Sequence, residues 1–363
     1  MTLDRIIDDI EPADQKIMQQ AREHTSRLVM PHRALGELHL IAERVCGIQR
    51  TLEPSVNSKA VLVMAGDHGI AVQGVSAYPQ EVTGEMVRTF VRGGAGINVL
   101  ARHAGTRVLV VDIGIIPDVS DLAGEIAAGT GHFQGENVLI VNKVAKGTMD
   151  FTIGPAMTRE QAEQSITAGY NVAGDLFEQG VELLGTGDMG IGNTSPSSAI
   201  GAVIMGHPVE RMTGRGTGVD DEGFGRKCQA IQKGIAVNAP DSEDPVDVLS
   251  KLGGFEIGGI CGAILAAACF KRPVVIDGLI STAGALLAHA MCPVVAGYMF
   301  AGHRSVEQGH QLMLEHMGIR PILDLGMRLG EGTGAALAMP IIEAGVRVFL
   351  EVLTFEQAGV SKG

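Results

Sequence analysis

The sequence has no tryptophan, only three tyrosines, and no run of lysine and arginine. Its 28 basic residues stand against 41 acidic ones, which gives a formal net charge of −13. An acidic chain without a basic run lacks the electrostatic surface that holds nucleic acid. These absences argue against a nucleic-acid-binding protein, but they are compatible with a small anionic ligand held in one local pocket.

Cysteine is scarce, and no pair of cysteines has C-x-x-C spacing. The five residues are Cys46, Cys228, Cys261, Cys269 and Cys292. An odd number without paired spacing argues against a disulfide framework or a structural zinc site, so we expect reduced thiols in a cytoplasmic protein. The charged N-terminus is unlike a signal peptide. The longest strongly apolar run, residues 257–270, is too short to span a bilayer, so we expect no membrane contact.

Several well-known catalytic motifs are also missing from the sequence. None of the eleven histidines forms H-x-x-x-H or H-E-x-x-H, which argues against a catalytic zinc ion. Neither G-x-x-x-x-G-K-[ST] nor G-x-S-x-G occurs. A P-loop and a hydrolase nucleophile elbow are therefore excluded.

What the sequence does have is 50 glycines and a hydrophobic fraction of 45%. Short apolar runs recur at residues 60–65, 107–112, 181–184, 273–276, 293–296 and 321–324. Helical patterns separate them, at residues 81–103, 158–180, 195–206, 221–237, 246–271, 281–291 and 304–317. Short runs that are apolar on both faces are typical of buried parallel strands. Their alternation with helices predicts an α/β fold with a three-layer, Rossmann-like parallel sheet.

The two chain ends have a different pattern from the middle. Residues 4–50 read as helices, and a long helix with one apolar side is predicted at residues 334–357. We expect a small helical domain built from residues 1–50 plus 334–363, beside an α/β catalytic domain at residues 51–333. Residues 114–150 are glycine-rich without a clear period, and a loop with a short β-ribbon is one interpretation of them.

Carboxylates follow several of the predicted strands. Right-handed crossovers place the carboxyl ends of parallel strands at one edge of the sheet, where ligands bind in such folds. We therefore expect Asp67, Asp112, Asp188, Asp277 and Glu331 to gather around one crevice.

Glu331 lies in the most unusual of these loops, between two glycines and just before the last predicted helix. Glycine lets the backbone approach a ligand closely. An acid in such a loop repels phosphate but can accept a proton from a neutral or cationic ligand. The alternative is that Glu331 only favours the positive N-terminus of the following helix. Its predicted position at the ligand edge favours the first interpretation.

Residues 185–190 match G-x-G-x-x-G after an apparent strand, the pattern of a dinucleotide-binding loop. The match is weak, because Asp188 would lie where a pyrophosphate should bind. The next helix also starts later, at Ser195, with Pro196 as its first residue. A plain strand-to-helix turn and a loop that aims Asp188 into the crevice both stay open.

Residues 214–218, Gly-Arg-Gly-Thr-Gly, combine backbone amides, a hydroxyl and a cation, and Lys227 lies in the next predicted helix. Amides with a nearby cation suit a phosphate. Acidic residues 220–222 weaken this prediction unless they only begin the helix.

Two further features have both a structural and a functional interpretation. Asp67 and His68 could form an acid–base or metal-binding pair, but a structural hydrogen bond is favoured. Methionines could line a pocket for an aromatic base, although adaptable core packing is favoured. These are Met64, Met86, Met189, Met299 and Met327.

Several strings together resemble one family. They are residues 65–69 (Ala-Gly-Asp-His-Gly), 79–83 (Pro-Gln-Glu-Val-Thr), 93–98 (Gly-Gly-Ala-Gly-Ile-Asn), 187–194 (Gly-Asp-Met-Gly-Ile-Gly-Asn-Thr), 247–255 (Asp-Val-Leu-Ser-Lys-Leu-Gly-Gly-Phe) and 328–334 (Arg-Leu-Gly-Glu-Gly-Thr-Gly). The sequence resembles the nicotinate-nucleotide–dimethylbenzimidazole phosphoribosyltransferases, which act in the lower-ligand branch of cobalamin biosynthesis. The resemblance covers about residues 30–355.

The resemblance implies a reaction and an assembly. Nicotinate mononucleotide and 5,6-dimethylbenzimidazole would give α-ribazole 5′-phosphate and nicotinate, with inversion at the anomeric carbon. Enzymes of this family are cytoplasmic homodimers that use no metal or redox cofactor. The preferred base stays open, because the base pocket varies within the family.

The resemblance also implies roles for particular residues. Glu331 matches the family's general base, and Asp188, where the family often has glutamate, would stabilise positive charge on the sugar. The phosphate would meet Gly190, Gly214, Gly216, Lys227 and His303. The base pocket maps to Tyr78, Met86, Met189 and Leu329. Two alternatives remain at this point, a dinucleotide-dependent oxidoreductase using residues 185–190 and a nucleotide-binding protein without activity.

Overall fold

Short apolar segments form a seven-stranded parallel sheet in the computed structural model, which describes residues 2–122, 137–216 and 218–361. Within those residues the strands, numbered β1 to β7 in chain order, are Lys59–Gly66, Arg107–Gly114, Asn137–Val141, Leu183–Met189, Val274–Ile276, Met299–His303 and Pro321–Leu323. Their spatial order is β3-β2-β1-β4-β5-β6-β7. The predicted α/β class with a parallel sheet is confirmed.

Helices cover the sheet and form most of the connections. Those with both ends in the described residues are numbered α1 to α14: Leu3–Asp8, Gln15–Thr25, Glu37–Gln49, Val82–Val91, Gly96–Ala104, Arg159–Glu178, Thr194–Met205, Val209–Met212, Asp221–Asn238, Pro245–Leu252, Phe255–Cys269, Leu279–Met291, Gln308–His316 and Thr333–Glu351. Two 3₁₀ helices span Gly69–Gln73 and Pro293–Tyr298.

The central strand β1 is buried along its whole length, and its side chains meet a helix layer on each face. Side chains alternate along a strand, so Val61 and Met64 point to opposite faces. Val61 faces Gly332, immediately before α14, whereas Met64 faces Gly259 of α11. The sheet is therefore the middle layer of three, as predicted.

The chain reverses its direction across the sheet at β1. It runs outward from β1 to β2 and β3, then returns to β4 on the other side of β1. The carboxyl ends of β1 and β4 therefore flank a topological switch point. Ligands of open α/β sheets bind at such a point.

Helix α14 packs unusually close to the sheet because β4 carries two glycines. A Cβ on Gly185 would lie 2.8 Å from Met339 Cε, and one on Gly187 would lie 2.5 Å from the backbone oxygen of Glu331. The first two glycines of the G-x-G-x-x-G match therefore serve helix-to-sheet packing. That use removes the main argument for a dinucleotide-binding loop.

Two predicted helices are each two helices in the structure. The pattern at residues 81–103 divides into α4 and α5, and the pattern at residues 246–271 divides into α10 and α11. Both breaks fall on a glycine pair, Gly93–Gly94 and Gly253–Gly254, where backbone freedom disfavours helix. The helix predicted from Ser195 begins one residue earlier, at Thr194, and its N-cap is Asn193.

One strand prediction was incorrect, and the region left open at residues 114–150 contains an additional strand. The apolar run at residues 293–296 is 3₁₀ helix, and the strand follows it as β6. Strand β3 lies inside the unassigned region 114–150 and pairs in parallel with β2, so it is not half of a β-ribbon with it. Residues 123–136 lie outside the described part of the chain.

The helices of the two chain ends meet, as expected. Helix α3 packs against α14 and α2. Ala21, Ala42, Cys46 and Phe349 form a small cluster of their own. However, Val45 and Ile342 belong to the same apolar core as the sheet. The division into residues 1–50 plus 334–363 and residues 51–333 therefore stays a prediction.

Helix α14 is long and apolar enough to cross a membrane by length and mean hydropathy, the one such helix found among the described residues. More than half of it, 56%, is buried inside the protein, and it contacts β4, β6 and α3. Core helices have the same length and composition, so this helix is assigned to the core.

Candidate active site

A cavity of about 400 Å³ opens at the carboxyl edge of the sheet, beside the switch point. It is lined by nine of the eleven site residues predicted from the sequence: Tyr78, Met86, Asp188, Met189, Gly190, Gly216, His303, Leu329 and Glu331. The two others, Gly214 and Lys227, do not line it, but Lys227 Nζ donates both to Thr194 of the lining and to the backbone oxygen of Gly214. The topology has thus brought together residues that are up to 253 positions apart, from Tyr78 to Glu331.

Glu331 is held in a strained backbone. Its φ is 63°, and Gly330 and Gly332 on either side have φ of 85° and 88°. The left-handed conformation costs a residue with a Cβ about 1–2 kcal/mol, whereas glycine adopts it freely. Such strain persists only where surrounding contacts hold it, and it is common in active sites.

The carboxylate of Glu331 lies at the N-terminus of α5, not of the helix that follows it. Its Oε2 accepts the backbone N–H of Ile97 at 3.0 Å. Burial raises the pKa of Glu331, the Ile97 N–H opposes that rise, and the negative charge of Asp277 adds to it. The Glu331 carboxylate therefore has a hydrogen-bond partner outside the following helix, and its role as a proton acceptor stays a prediction.

Asp277 occupies that N-terminus instead. Its Oδ2 accepts the N–H of Gly332 at 3.0 Å, and its Oδ1 accepts those of Gly334 at 2.7 Å and Ala335 at 3.3 Å. His303 Nε2 lies 3.5 Å from the same Oδ1. Asp277 thus sits behind the cavity and fixes the loop that carries Glu331.

Asp188 is buried near the end of β4. Its Oδ2 accepts the side-chain N–H of Asn193 at 2.9 Å, and its Oδ1 has no partner within the part of the chain that the structure describes. Burial raises the pKa of Asp188 well above its ordinary value, and the charges of Asp277, Glu256 and Glu331 raise it further against the Asn193 hydrogen bond. An unpartnered oxygen in a cavity wall suits a cationic ligand.

Only Asp188 and Glu331 of the five carboxylates expected at the crevice line the cavity. Asp67 Oδ2 accepts the N–H of Ile116 at 2.7 Å. Asp112 accepts the N–H of Ile115 at 3.0 Å and pairs with Lys143 at 3.1 Å. Both lie at the predicted edge, but their oxygens hold the loops after β1 and β2. The prediction that all five gather in one crevice was therefore wrong for Asp67 and Asp112, and Asp277 lies behind the cavity rather than in its lining.

The predicted phosphate loop has a buried lysine behind it. Lys227 Nζ donates to Thr194 Oγ1 at 2.7 Å and to the backbone oxygen of Gly214 at 3.2 Å. Burial lowers the pKa of Lys227 to about 8, although the carboxylate of Glu307 opposes that change. The ammonium therefore supports the loop and gives its surroundings positive charge. Thr217, whose hydroxyl was part of the prediction, lies outside the described residues.

The structure adds cavity residues that the sequence reasoning did not assign. They are Asn193, Thr194, Ser305, Glu307 and Arg328 among others. A signal existed for Asn193 and Thr194, since both belong to a string that carried the family resemblance. Glu307 gave no signal, because it fell inside the helix predicted at residues 304–317. In the structure that helix, α13, begins at Gln308.

His68 forms a buried structural pair. Its Nε2 lies 2.8 Å from Glu256 Oε1, and both side chains are inaccessible to solvent. This matches the favoured interpretation of Asp67 and His68 as structural. Of the five methionines considered, Met86 and Met189 line the cavity, while Met64 and Met299 are core residues. No group of three or more His, Cys, Asp or Glu side chains suited to a metal ion was found among the described residues.

Comparisons with known proteins show the family of this chain. The family model DBI_PRT, described as a phosphoribosyltransferase, matches residues 10–360. A protein of Geobacter sulfurreducens is 50% identical over 361 residues, covering 99% of each chain. One of Syntrophobacter fumaroxidans is 48% identical over 360 residues, covering 99% of this chain and 98% of its own. Both are named nicotinate-nucleotide–dimethylbenzimidazole phosphoribosyltransferase.

Solved structures agree as well. A crystal structure of the enzyme of that name from Thermus thermophilus superposes with a TM-score of 0.87 at 42% identity, covering 96% of this chain and all of the other. A second structure from the same organism, titled CobT, gives 0.88 at 43% identity with the same coverage. The chain belongs to the nicotinate-nucleotide–dimethylbenzimidazole phosphoribosyltransferase family.

Proposed function

We propose that this protein transfers the phosphoribosyl group of nicotinate mononucleotide to 5,6-dimethylbenzimidazole or a related base. The products are α-ribazole 5′-phosphate and nicotinate, with inversion at the anomeric carbon. The observation that carries the proposal is that Glu331 and Asp188 line the same cavity as Gly216 of the loop that Lys227 supports. A proton acceptor, a site for positive charge and a phosphate end are thereby combined.

The chemistry needs one bond to break and one to form. The bond between the nicotinate ring nitrogen and the anomeric carbon breaks, and its electron pair neutralises the pyridinium, so the leaving group needs no acid. One benzimidazole nitrogen attacks from the opposite face, and the proton on its other nitrogen passes to Glu331. Because Oε2 of Glu331 already accepts the Ile97 N–H, we assign the proton to Oε1. The raised pKa of Glu331 makes it a stronger base than an exposed glutamate.

Asp188 is proposed to stabilise the positive charge of the ring and sugar. Its burial makes the ionised form costly in the free protein. A bound pyridinium supplies the missing countercharge and favours the carboxylate. The unpartnered Oδ1 is the oxygen that is free to face this charge. Asn193 would hold Asp188 in that orientation through Oδ2.

The base is proposed to bind against the apolar wall of the cavity. Met86 and Met189 are half-buried there, while Tyr78 and Leu329 are exposed at 56% and 59%. Thioether and aromatic groups suit the face of a flat heteroaromatic ring. The exposed pair would lie at the cavity mouth, where a bound ring would cover them.

The phosphate is proposed to bind at the other end, near Gly190, the Gly214–Gly216 loop and His303. Lys227 Nζ is within hydrogen-bond reach of the loop backbone and supplies charge. Arg328 lines the cavity and donates to the backbone oxygen of Gly216 at 3.3 Å, which brings a second cation near. No metal or other cofactor is part of the proposal.

We also propose a cytoplasmic homodimer that contacts neither nucleic acid nor membrane. The net charge of −13 supports the first of these exclusions. Size-exclusion chromatography with light scattering tests the dimer directly. A monomer across the working concentration range would contradict it.

The proposed reaction is tested by mixing the protein with nicotinate mononucleotide and dimethylbenzimidazole and separating the products by chromatography. We expect free nicotinate to appear only when the base is present. Nicotinate release that does not depend on the base, or no release, contradicts the proposal. A nucleotide-binding protein without activity would bind the mononucleotide in the same assay buffer without turnover.

A further inference from the structure

The phosphate loop already holds an anion in the free protein, and that anion is a side chain of the same chain. Glu307 Oε1 accepts the backbone N–H of Gly216 at 3.0 Å. The side chain is 8% exposed and lines the cavity. Its Oε2 is buried and has no hydrogen-bond partner among the residues described.

The glycines of the loop fit this carboxylate. A Cβ placed on Gly214 would overlap Glu307 Oε2, so any other residue there would exclude the side chain. A Cβ on Gly216 would lie 3.2 Å from Lys227 Nζ. The backbone of Gly216 is therefore close both to the Lys227 ammonium and to the Glu307 carboxylate that it binds. The charge of Glu307 is also the largest electrostatic influence that raises the pKa of Lys227.

The side chain of Glu307 does not cap its own helix. It is the N-cap residue of α13, yet its side chain makes no hydrogen bond to that helix. Serine, threonine, aspartate and asparagine are the usual N-caps because their short side chains reach back to the helix. The longer glutamate reaches across to the loop between α8 and α9 instead.

We propose that Glu307 occupies the phosphate position in the free protein and that the 5′-phosphate of the substrate displaces it, so that substrate binding is an exchange of anions. This inference rests on the proposed function for the identity of the phosphate. Glu307 would keep the loop formed when the site is empty. It would also weaken the binding of any phosphate ligand, because the hydrogen bond between Glu307 and Gly216 must break before the phosphate can bind.

The exchange has a direct consequence for Glu307→Gln. The amide oxygen of glutamine can still accept the Gly216 N–H, so the loop keeps its partner and the fold is retained. A neutral acceptor binds an N–H more weakly than a carboxylate does, and the like charge that opposes phosphate is gone. We expect inorganic phosphate to bind the variant about three- to tenfold more tightly than the wild type.

The matched control is Glu315→Gln. Glu315 is exposed on the same helix, α13, so this change removes one negative charge without touching the loop. Calorimetric titration of inorganic phosphate into wild type, Glu307→Gln and Glu315→Gln compares the three affinities. Glu307→Asp is a second variant, which keeps the charge but is one methylene too short for the Gly216 contact. We expect its phosphate affinity to lie between those of wild type and Glu307→Gln.

Steady-state kinetics give an independent readout. We expect Glu307→Gln to lower the KM for nicotinate mononucleotide by about three- to tenfold while the KM for the base is unchanged. A raised KM would mean that Glu307 binds the substrate, for example through a ribose hydroxyl, and would overturn the proposal. Equal phosphate affinity in Glu307→Gln and Glu315→Gln would overturn it too.

The two proposals fail in different ways. If neither the wild type nor its variants turn over the substrates, but Glu307→Gln binds inorganic phosphate more tightly than the wild type, the anion exchange stands and the proposed reaction falls. If the wild type turns over normally but Glu307→Gln matches its control in both assays, the reaction stands and the anion exchange falls.

Discussion

The carboxylate of Asp277 accepts the backbone N–H of Gly334 at 2.7 Å, in the first turn of helix α14. It also accepts the N–H of Gly332, directly after Glu331. The positive end of α14 therefore already has its anion, and Glu331 is turned away toward α5 and the cavity. Because Asp277 binds the N–H groups at the start of α14, Glu331 keeps its Oε1 available to accept a proton.

Replacing Glu331 with glutamine tests its role as the general base. Glutamine can still accept the Ile97 N–H, so the variant should fold and bind nicotinate mononucleotide with little change in KM. Without a proton acceptor, we expect kcat to fall by about 10²- to 10⁴-fold. Nicotinate release measured under saturating substrates checks this.

A suitable control is Glu351→Gln, an exposed change at the last residue of helix α14, far from the loop that carries Glu331. It should keep wild-type kcat. Full activity in Glu331→Gln would show that another group removes the imidazole proton.

The pH dependence of kcat should report the same residue. Burial raises the pKa of Glu331 above the ordinary 4.5, and the base works only as the carboxylate. Activity should therefore fall as pH decreases through a value higher than that of an exposed glutamate. This acid limb should be absent from the residual activity of Glu331→Gln.

An alkaline limb should appear in the KM for the mononucleotide. Lys227 is cationic below its pKa of about 8 and neutral above it. The KM should therefore rise as pH increases through about 8, while the KM for the base stays constant. A pH-rate profile with both substrates varied separately measures both limbs.

Much of this arrangement was readable from the sequence because it depends on periodicity. Parallel strands that end in acids predicted the ligand edge, and Asp188 and Glu331 do line one cavity. The same logic failed for Asp67 and Asp112, and it put Asp277 in the crevice although Asp277 lies behind the cavity. Strand topology fixes which edge a residue reaches, but not which way its side chain turns. That direction depends on loop amides such as the N–H of Ile116, which no pattern reveals.

The weak glycine-motif match and one missed residue have equally specific causes. The Gly-x-Gly of residues 185–187 resembled a cofactor loop because close packing and close ligand approach both require glycine. Glu307 was missed because its partner, Gly216, is 91 positions away and the contact leaves no local pattern. Contacts of this kind are fixed by tertiary packing, which a single sequence does not specify.

Asp277→Asn tests whether Asp277 positions Glu331. An asparagine can accept the Gly334 N–H with its oxygen, but its NH₂ group would then face the Gly332 N–H, donor against donor. We expect the Glu331 loop to shift and kcat to fall by about 10- to 100-fold, since small displacements of a reacting group have effects of that size. Nicotinate release again measures it.

The pH profile separates positioning from general destabilisation in Asp277→Asn. The negative charge of Asp277 raises the pKa of Glu331, so removing it should move the acid limb of kcat to lower pH. A variant that merely lost folded protein would show lower activity with an unmoved limb.

Asp188→Asn should stabilise the free protein while impairing catalysis. Because the pKa of Asp188 is raised in the folded state, the folded protein binds more protons than the unfolded chain above pH 3.8. The free energy of unfolding therefore falls as pH rises through that range. Asparagine carries no charge, so we expect a gain of about 1 kcal/mol or more at pH 8.

Urea denaturation at pH 5 and pH 8 measures this effect, with Asp175→Asn as the control. Asp175 is exposed on α6, so its replacement should change stability little at either pH. Equal stabilities of wild type and Asp188→Asn at pH 8 would contradict the expectation that the buried charge of Asp188 destabilises the folded protein.

Gly187→Ala tests whether the sheet itself holds the catalytic loop in place. The new methyl group would lie 2.5 Å from the backbone oxygen of Glu331 and 2.7 Å from the nitrogen of Gly332, so the loop must move away from β4. Overpacking of this kind costs about 1–3 kcal/mol, and we expect kcat to fall along with stability. Gly225→Ala is the matched control, because a Cβ there meets nothing within 4 Å in helix α9. That control should gain about 0.5–1 kcal/mol from reduced chain entropy and keep full activity. If Gly187→Ala behaved like the control in both denaturation and turnover, contact with β4 would not be what fixes Glu331.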